Sequence, residues 1–152
     1  MIWVFLHITG IVTAIVIGIG AQIFTERAAK TGDVRTIRTI FQMAKPMGMA
    51  VPIMFVIGGV FGVVAFLDRG IDWNSPWLVQ SYVLFAIAFI LGGAIDGRWQ
   101  GKVLAAAEEA PDGPVSEEFR KLLDDRVYMI STWVGRILLI AILYVMTMKP
   151  FS

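Results

Sequence analysis

Four long apolar stretches constrain this chain more than any other feature of its sequence: Ile2–Phe24, Pro46–Leu67, Trp77–Ile95 and Tyr128–Met148. Each has about the 20 residues that a helix needs to cross roughly 30 Å of hydrocarbon. Inside lipid a helix satisfies its own backbone N–H and C=O groups, whereas an open strand leaves them bare. A closed β-barrel is the other solution, but it would show alternating segments of about ten residues. No such alternation is visible. Charged residues make up only 16% of the chain, against about a quarter in soluble domains, and the shortfall is concentrated in the four stretches. Mean hydropathy is +0.74. The expectation is an all-α, four-transmembrane-helix up-down bundle forming a single integral membrane domain over residues 1–152. The first stretch lacks a basic leader and exceeds a signal core in length, so it reads as a membrane helix rather than a cleaved leader.

Basic residues set the expected orientation. Arg27, Lys30, Arg35, Arg38 and Lys45 lie between the first and second stretches, and Arg98, Lys102, Arg120, Lys121 and Arg126 between the third and fourth. Only Arg69 and Lys149 lie on the opposite side. Ten against two is a positive-inside signal. Segments 25–45 and 97–127 are therefore expected to be cytoplasmic, with both termini non-cytoplasmic.

With a net charge of +1, the chain has no overall field to attract nucleic acid. It has no cysteine, which excludes disulfides, thiolate metal sites and cysteine nucleophiles. The partners this composition implies are the lipid bilayer and, through packing faces, further copies or a larger membrane complex.

The connections carry their own signals. After Thr31-Gly32-Asp33, the residues Val34, Ile37, Phe41 and Ala44 recur at helical spacing, as an amphipathic lead-in or an extension of the second span. The third helix is expected to continue past Asp96 and stop near Pro111-Asp112-Gly113-Pro114. Ser116 resembles an N-cap ahead of Glu117 and Glu118, and from there the last helix could run unbroken into the membrane. Pro52 falls inside the second span, where proline kinks a helix.

In lipid, close approach at small residues matters more than hydrophobicity. Gly10, Ala14 and Gly18 recur at intervals of four, as do Gly58 and Gly62. Ala88, Gly92 and Asp96 do the same, beside Gly93, Gly97 and Gly101. These mark the expected packing faces.

Two side chains within the spans could carry chemistry. His7, the only histidine, shares a face with Gly10, Ala14 and Gly18. A neutral imidazole there can ligate haem iron or copper, relay a proton, or hold helices in register through a hydrogen bond. Arg136 lies close to the expected midplane, where even lenient scales charge about 2.5 kcal/mol. It needs a partner, and Asp96, a haem propionate or a lipid phosphate would each serve. Helical rise separates His7 and Arg136 in depth by roughly 10–12 Å, a gap a haem could bridge. Met43, Met47 and Met54 share a face and are either Cu(I)-type thioethers or ordinary packing. Trp73, Trp77, Gln80, Ser81 and Tyr82 are expected at the membrane interface.

Three motifs carry a resemblance. They are Trp3-Val4-Phe5-Leu6-His7 ahead of a glycine-spotted helix, the Thr31-Gly32-Asp33 turn, and Leu143-Tyr144-Val145-Met146-Thr147-Met148-Lys149-Pro150 following Trp133 and Arg136. Together they resemble a bacterial family known only as predicted integral membrane proteins, which implies a bacterial inner-membrane location. More distantly, the Leu6-His7 opening and four-span layout are similar to HemJ-type protoporphyrinogen IX oxidases and copper-resistance D proteins. That similarity implies haem b as a cofactor, with His7 as the iron ligand. Val4 stands where the HemJ-type family has lysine, and that family's Trp-x-Ala-Gly stretch is missing, so the oxidase activity is not implied. The chain thus reads as a non-enzymatic accessory or structural membrane subunit. The alternatives are a haem- or porphyrin-binding protein using His7, and a permeation function with Arg136 lining a polar cavity.

Overall fold

The computed structural model describes residues 1–150, and these are helical apart from short connections. The elements are α1 (Ile2–Thr31), α2 (Val34–Arg69), α3 (Pro76–Ile90), a π-helical segment (Leu91–Asp96), α4 (Gly97–Glu109), α5 (Glu117–Leu123) and α6 (Arg126–Met148). Four helical stretches are long and apolar enough to cross a membrane: Ile2–Thr31, Val34–Arg69, Pro76–Glu109 and Glu117–Met148. Each outruns the apolar stretch that defines it, so the helices extend beyond the hydrocarbon. The chain divides into two compact units, one of Met1–Gly70 with Leu104–Arg120, the other of Ile71–Val103 with the chain from Lys121 onward.

The first unit is built on α1 and α2, packed antiparallel. Gly32 separates them with φ of 67°, a left-handed conformation that favours glycine. Asp33 then caps α2, its carboxylate accepting from the Thr36 N–H at 2.9 Å and the Thr36 hydroxyl at 2.6 Å. The α2 extension back to Val34 therefore has a definite start, and the Val34, Ile37, Phe41 and Ala44 face is buried. The α1 seam runs through Gly10, Ala14, Ala21, Thr25 and Ala28, and the α2 seam through Val34, Ile37, Phe41, Ala44, Gly58, Gly62 and Ala65. Steps of three and four in turn, rather than fours alone, keep a seam facing its partner. Gly18, spaced by fours from Gly10, accordingly drifts to the half-buried edge of this seam. Pro46 and Pro52 both lie within α2, which continues through them.

Segment 113–115 clamps the α1–α2 turn. Val34 N–H donates to the Gly113 carbonyl at 2.8 Å, and Val115 N–H to the Gly32 carbonyl at 2.9 Å. Arg38 anchors the same region: Nε donates to the Ala107 carbonyl at 2.7 Å, Nη2 to the Ala110 carbonyl at 2.6 Å and Nη1 to Asp112 at 2.9 Å. One guanidinium thus satisfies carbonyls at the end of α4 that the helix itself leaves open. Ser116 caps α5 as expected, its Oγ accepting from Phe119 N–H at 3.2 Å.

In the second unit α3 and α6 pack antiparallel, and the π segment also packs on α6. Trp99 stacks on Tyr128 with ring centroids 3.6 Å apart, and its Nε1 donates to the Leu122 carbonyl at 2.9 Å. At the other end Lys149 lies 5.2 Å from the Trp77 ring centroid. The last helix differs from the unbroken one expected. It stops after Leu123 and restarts at Arg126, because the Asp125 side chain accepts from the N–H groups of Val127 and Tyr128 and so starts a new helix. Trp77 and Ser81 are buried against the rest of the protein. The Ser81 hydroxyl is satisfied within the helix by the Trp77 carbonyl at 2.8 Å.

Candidate functional site

A close interhelical contact in the first unit surrounds His7. A Cβ placed on Gly10 would lie 2.9 Å from the Gly58 Cα, closer than carbon atoms approach, so the two backbones meet where neither has a side chain. One turn earlier on α1, the half-buried His7 ring lies against α2. Its Nδ1 is 2.7 Å from the Gly58 carbonyl oxygen, and a Cβ on Gly62 would fall 2.7 Å from the same nitrogen. Gly58 and Gly62 therefore make room for the imidazole. Trp3 stacks against Phe61 just beyond, with centroids 6.1 Å apart.

A carbonyl oxygen only accepts, so Nδ1 carries the proton and donates. In the neutral ring that bond leaves the lone pair on Nε2. The same arrangement, a backbone carbonyl fixing the far nitrogen, is how proteins orient a histidine that ligates a metal. It equally well describes a hydrogen bond that holds two membrane helices in register.

Arg136 belongs to the second unit. It sits half-buried on α6 with its guanidinium 5.3 Å from the Trp133 ring centroid, a cation–π contact one turn away. Asp96 closes the π segment that packs on this helix, and both residues have interacting neighbours. Gly92 lies in the π segment and is exposed, with no atom near the place of a Cβ. Met43 and Met47 are exposed and Met54 is half-buried on α2. Among the described residues, no group of three or more His, Cys, Asp or Glu side chains could hold a metal ion.

Sequence reasoning missed three features. Arg38 counted only as one basic residue in a loop, and its role depends on carbonyls some seventy residues away. The Trp99–Tyr128 stack joins the helix beyond Asp96 to the first residue of the fourth apolar stretch, two rings between which the sequence indicates no contact. The π segment is Leu91-Gly92-Gly93-Ala94-Ile95-Asp96, where paired glycines weaken the α-helical preference enough for a wider turn. Those glycines were the available signal.

The fold defines a polytopic α-helical membrane protein, with four helical stretches long and apolar enough to cross a bilayer. The chain belongs to the family described as "predicted integral membrane protein" (DUF2269), whose model matches residues 1–150. No curated protein and no solved structure matches the chain.

Proposed function

We propose that the chain is a non-enzymatic membrane subunit, of the bacterial inner membrane, that receives a partner helix on the glycine face following α3. The observation that carries this reading is the spacing and exposure of Gly93, Gly97 and Gly101. All three are exposed. A Cβ on Gly93 or Gly101 would meet nothing within 4 Å, and one on Gly97 only the Gly92 carbonyl of its own helix. These glycines lie at and just beyond the cytoplasmic end of the third span, where small residues four apart give a partner helix a face on which backbones can approach. The chain has no cysteine, so a single introduced thiol reports one position. With a photoactivatable cross-linker carried on the thiol, which needs no cysteine in the partner, Gly97→Cys or Gly101→Cys in native membranes yields one discrete cross-linked species, of doubled mass for a second copy or another fixed mass for a different subunit. Val60→Cys, on an exposed α2 position, yields none. Monomer alone at every position would defeat the proposal.

The Gly58 bond favours one further reading, b-type haem bound through His7. A protonated Nδ1 leaves Nε2 as the ligating nitrogen, and the glycines at 58 and 62 hold the ring without crowding it. Bound haem would supply one-electron transfer, while His7 and the Gly58 carbonyl provide orientation and ligand basicity. Purified protein titrated with haemin then develops a Soret shift that His7→Ala abolishes. An unchanged haemin spectrum with wild-type protein rules this reading out.

A further inference from the structure

Between α1 and α2 the first unit holds an apolar groove of about 440 Å³, lined by Val16, Ile17, Gly20, Ala21, Phe24, Pro46, Met47 and Ala50. Its floor is made of small residues, with Ala21 buried and Gly20 and Ala50 half-buried. Its walls are large and project outward, with Val16 64%, Phe24 60% and Met47 43% exposed. The slot extends along α1 for about 12 Å by helical rise. It ends where charge begins. Arg27, a turn beyond Phe24, is exposed, as are Lys30 and Lys45 at the same end of the helix pair; Glu26 adjoins Arg27 in sequence, and Glu108 of α4 accepts from Gln42 a turn from Lys45.

We infer that this groove seats an acyl chain of an anionic phospholipid whose phosphate is held by Arg27. Three features select that occupant. A slot about 12 Å long with a floor of alanine and glycine between projecting walls fits a polymethylene chain. A second helix would meet the Phe24 and Met47 walls before reaching the floor. The groove runs toward the level at which the apolar part of α1 gives way to basic residues, where a headgroup lies when its tails are in hydrocarbon. The charged side chain one turn beyond the groove on α1 is the Arg27 guanidinium, and a guanidinium binds phosphate in bidentate fashion, so anionic headgroups are preferred over zwitterionic ones.

The full-length protein in mild non-ionic detergent is followed by thermal unfolding while phosphatidylglycerol or phosphatidylcholine of identical acyl composition is added. A bound ligand raises Tm with its concentration. Phosphatidylglycerol is expected to raise Tm at several-fold lower concentration than phosphatidylcholine. Gly20→Phe fills the slot from a position where a Cβ meets nothing within 4 Å, and is expected to remove the response to both lipids. Arg27→Gln retains the response but equalises the two lipids. Equal stabilisation of the wild type by both lipids overturns the inference, as does a full phosphatidylglycerol response in Gly20→Phe. If Gly20→Phe lowers Tm without added lipid, Arg27→Gln decides alone: preserved phosphatidylglycerol preference overturns the assignment of the phosphate to Arg27.

Discussion

At the scale of single residues, the α1–α2 contact depends on what is missing as much as on what is present. A methyl group on Gly10 has only the Gly58 backbone to displace, and overpacking of that kind costs about 1–3 kcal/mol. Gly10→Ala should therefore lower Tm in detergent even though alanine is the better helix former by about 1 kcal/mol. Gly48→Ala, where a Cβ meets nothing within 4 Å, should leave Tm unchanged or slightly raised. If both variants behave alike, the close approach does not contribute to stability. His7→Ala removes the bond to Gly58, and interhelical hydrogen bonds in membranes are worth about 1 kcal/mol, so a smaller drop in Tm is expected. The sequence made the shared face of His7, Gly10 and Ala14 legible. It could not supply Gly58 as the acceptor, because periodicity orients a residue on its own helix without naming the residue opposite.

Among the elements, the α1–α2 turn and its clamp hold the extramembrane end of the first unit. The hydrogen bonds from the Thr36 hydroxyl and then its N–H lower the pKa of Asp33 below its ordinary 3.8, with the nearby Arg35 adding to the effect. A carboxylate held lower in the folded state stabilises the fold above its unfolded pKa, and that stability is lost as pH falls through the lowered folded value. Exchange of the Thr36 amide should therefore accelerate as pH drops below about 4 relative to Asp33→Asn, which has no carboxylate to titrate. Matching profiles would remove Asp33 as the cause. Arg38 matters more to this end of the unit. Its guanidinium serves two helix-terminal carbonyls as well as Asp112, and its side chain is only 26% exposed. Asp112 is 58% exposed, and such surface pairs contribute little, so the carbonyl bonds dominate. Arg38→Ala should cost about 2 kcal/mol by the usual worth of hydrogen bonds from a charged donor, and Asp112→Ala much less. Proteolysis between residues 109 and 117 reads the difference directly. Local chemistry made the breakers and caps legible: Thr31-Gly32-Asp33, Ser116 and Pro111 to Pro114 each act within a few residues. The Asp125 cap was overlooked among acidic neighbours, and the Arg38 clamp required contacts that no local pattern encodes.

For the molecule as a whole, the four apolar spans follow from the sequence because the solvent requirement is absolute: backbone groups in hydrocarbon must pair within their own helix. Orientation rests on a different physical asymmetry. Basic segments resist transfer across the membrane, and ten of the basic residues lie in the two connections at one end, against two at the other. The arrangement this favours has both chain termini on the non-cytoplasmic side and places Arg38 and its clamp in the cytoplasm. Two exposed positions test it, Asn74 in the connection before α3 and Glu109 at the end of α4. Each can be made the chain's sole thiol because no native cysteine competes. A membrane-impermeant maleimide applied to intact cells should label Asn74→Cys and leave Glu109→Cys unmodified until the membrane is opened. Reversed labelling would invert the topology, moving the basic end of the α1–α2 groove to the outer leaflet. Labelling of both from outside would show that the two positions share one side. That outcome would require Pro76–Glu109 to re-enter rather than span, with the glycine-rich π segment as the place where a helix could turn back.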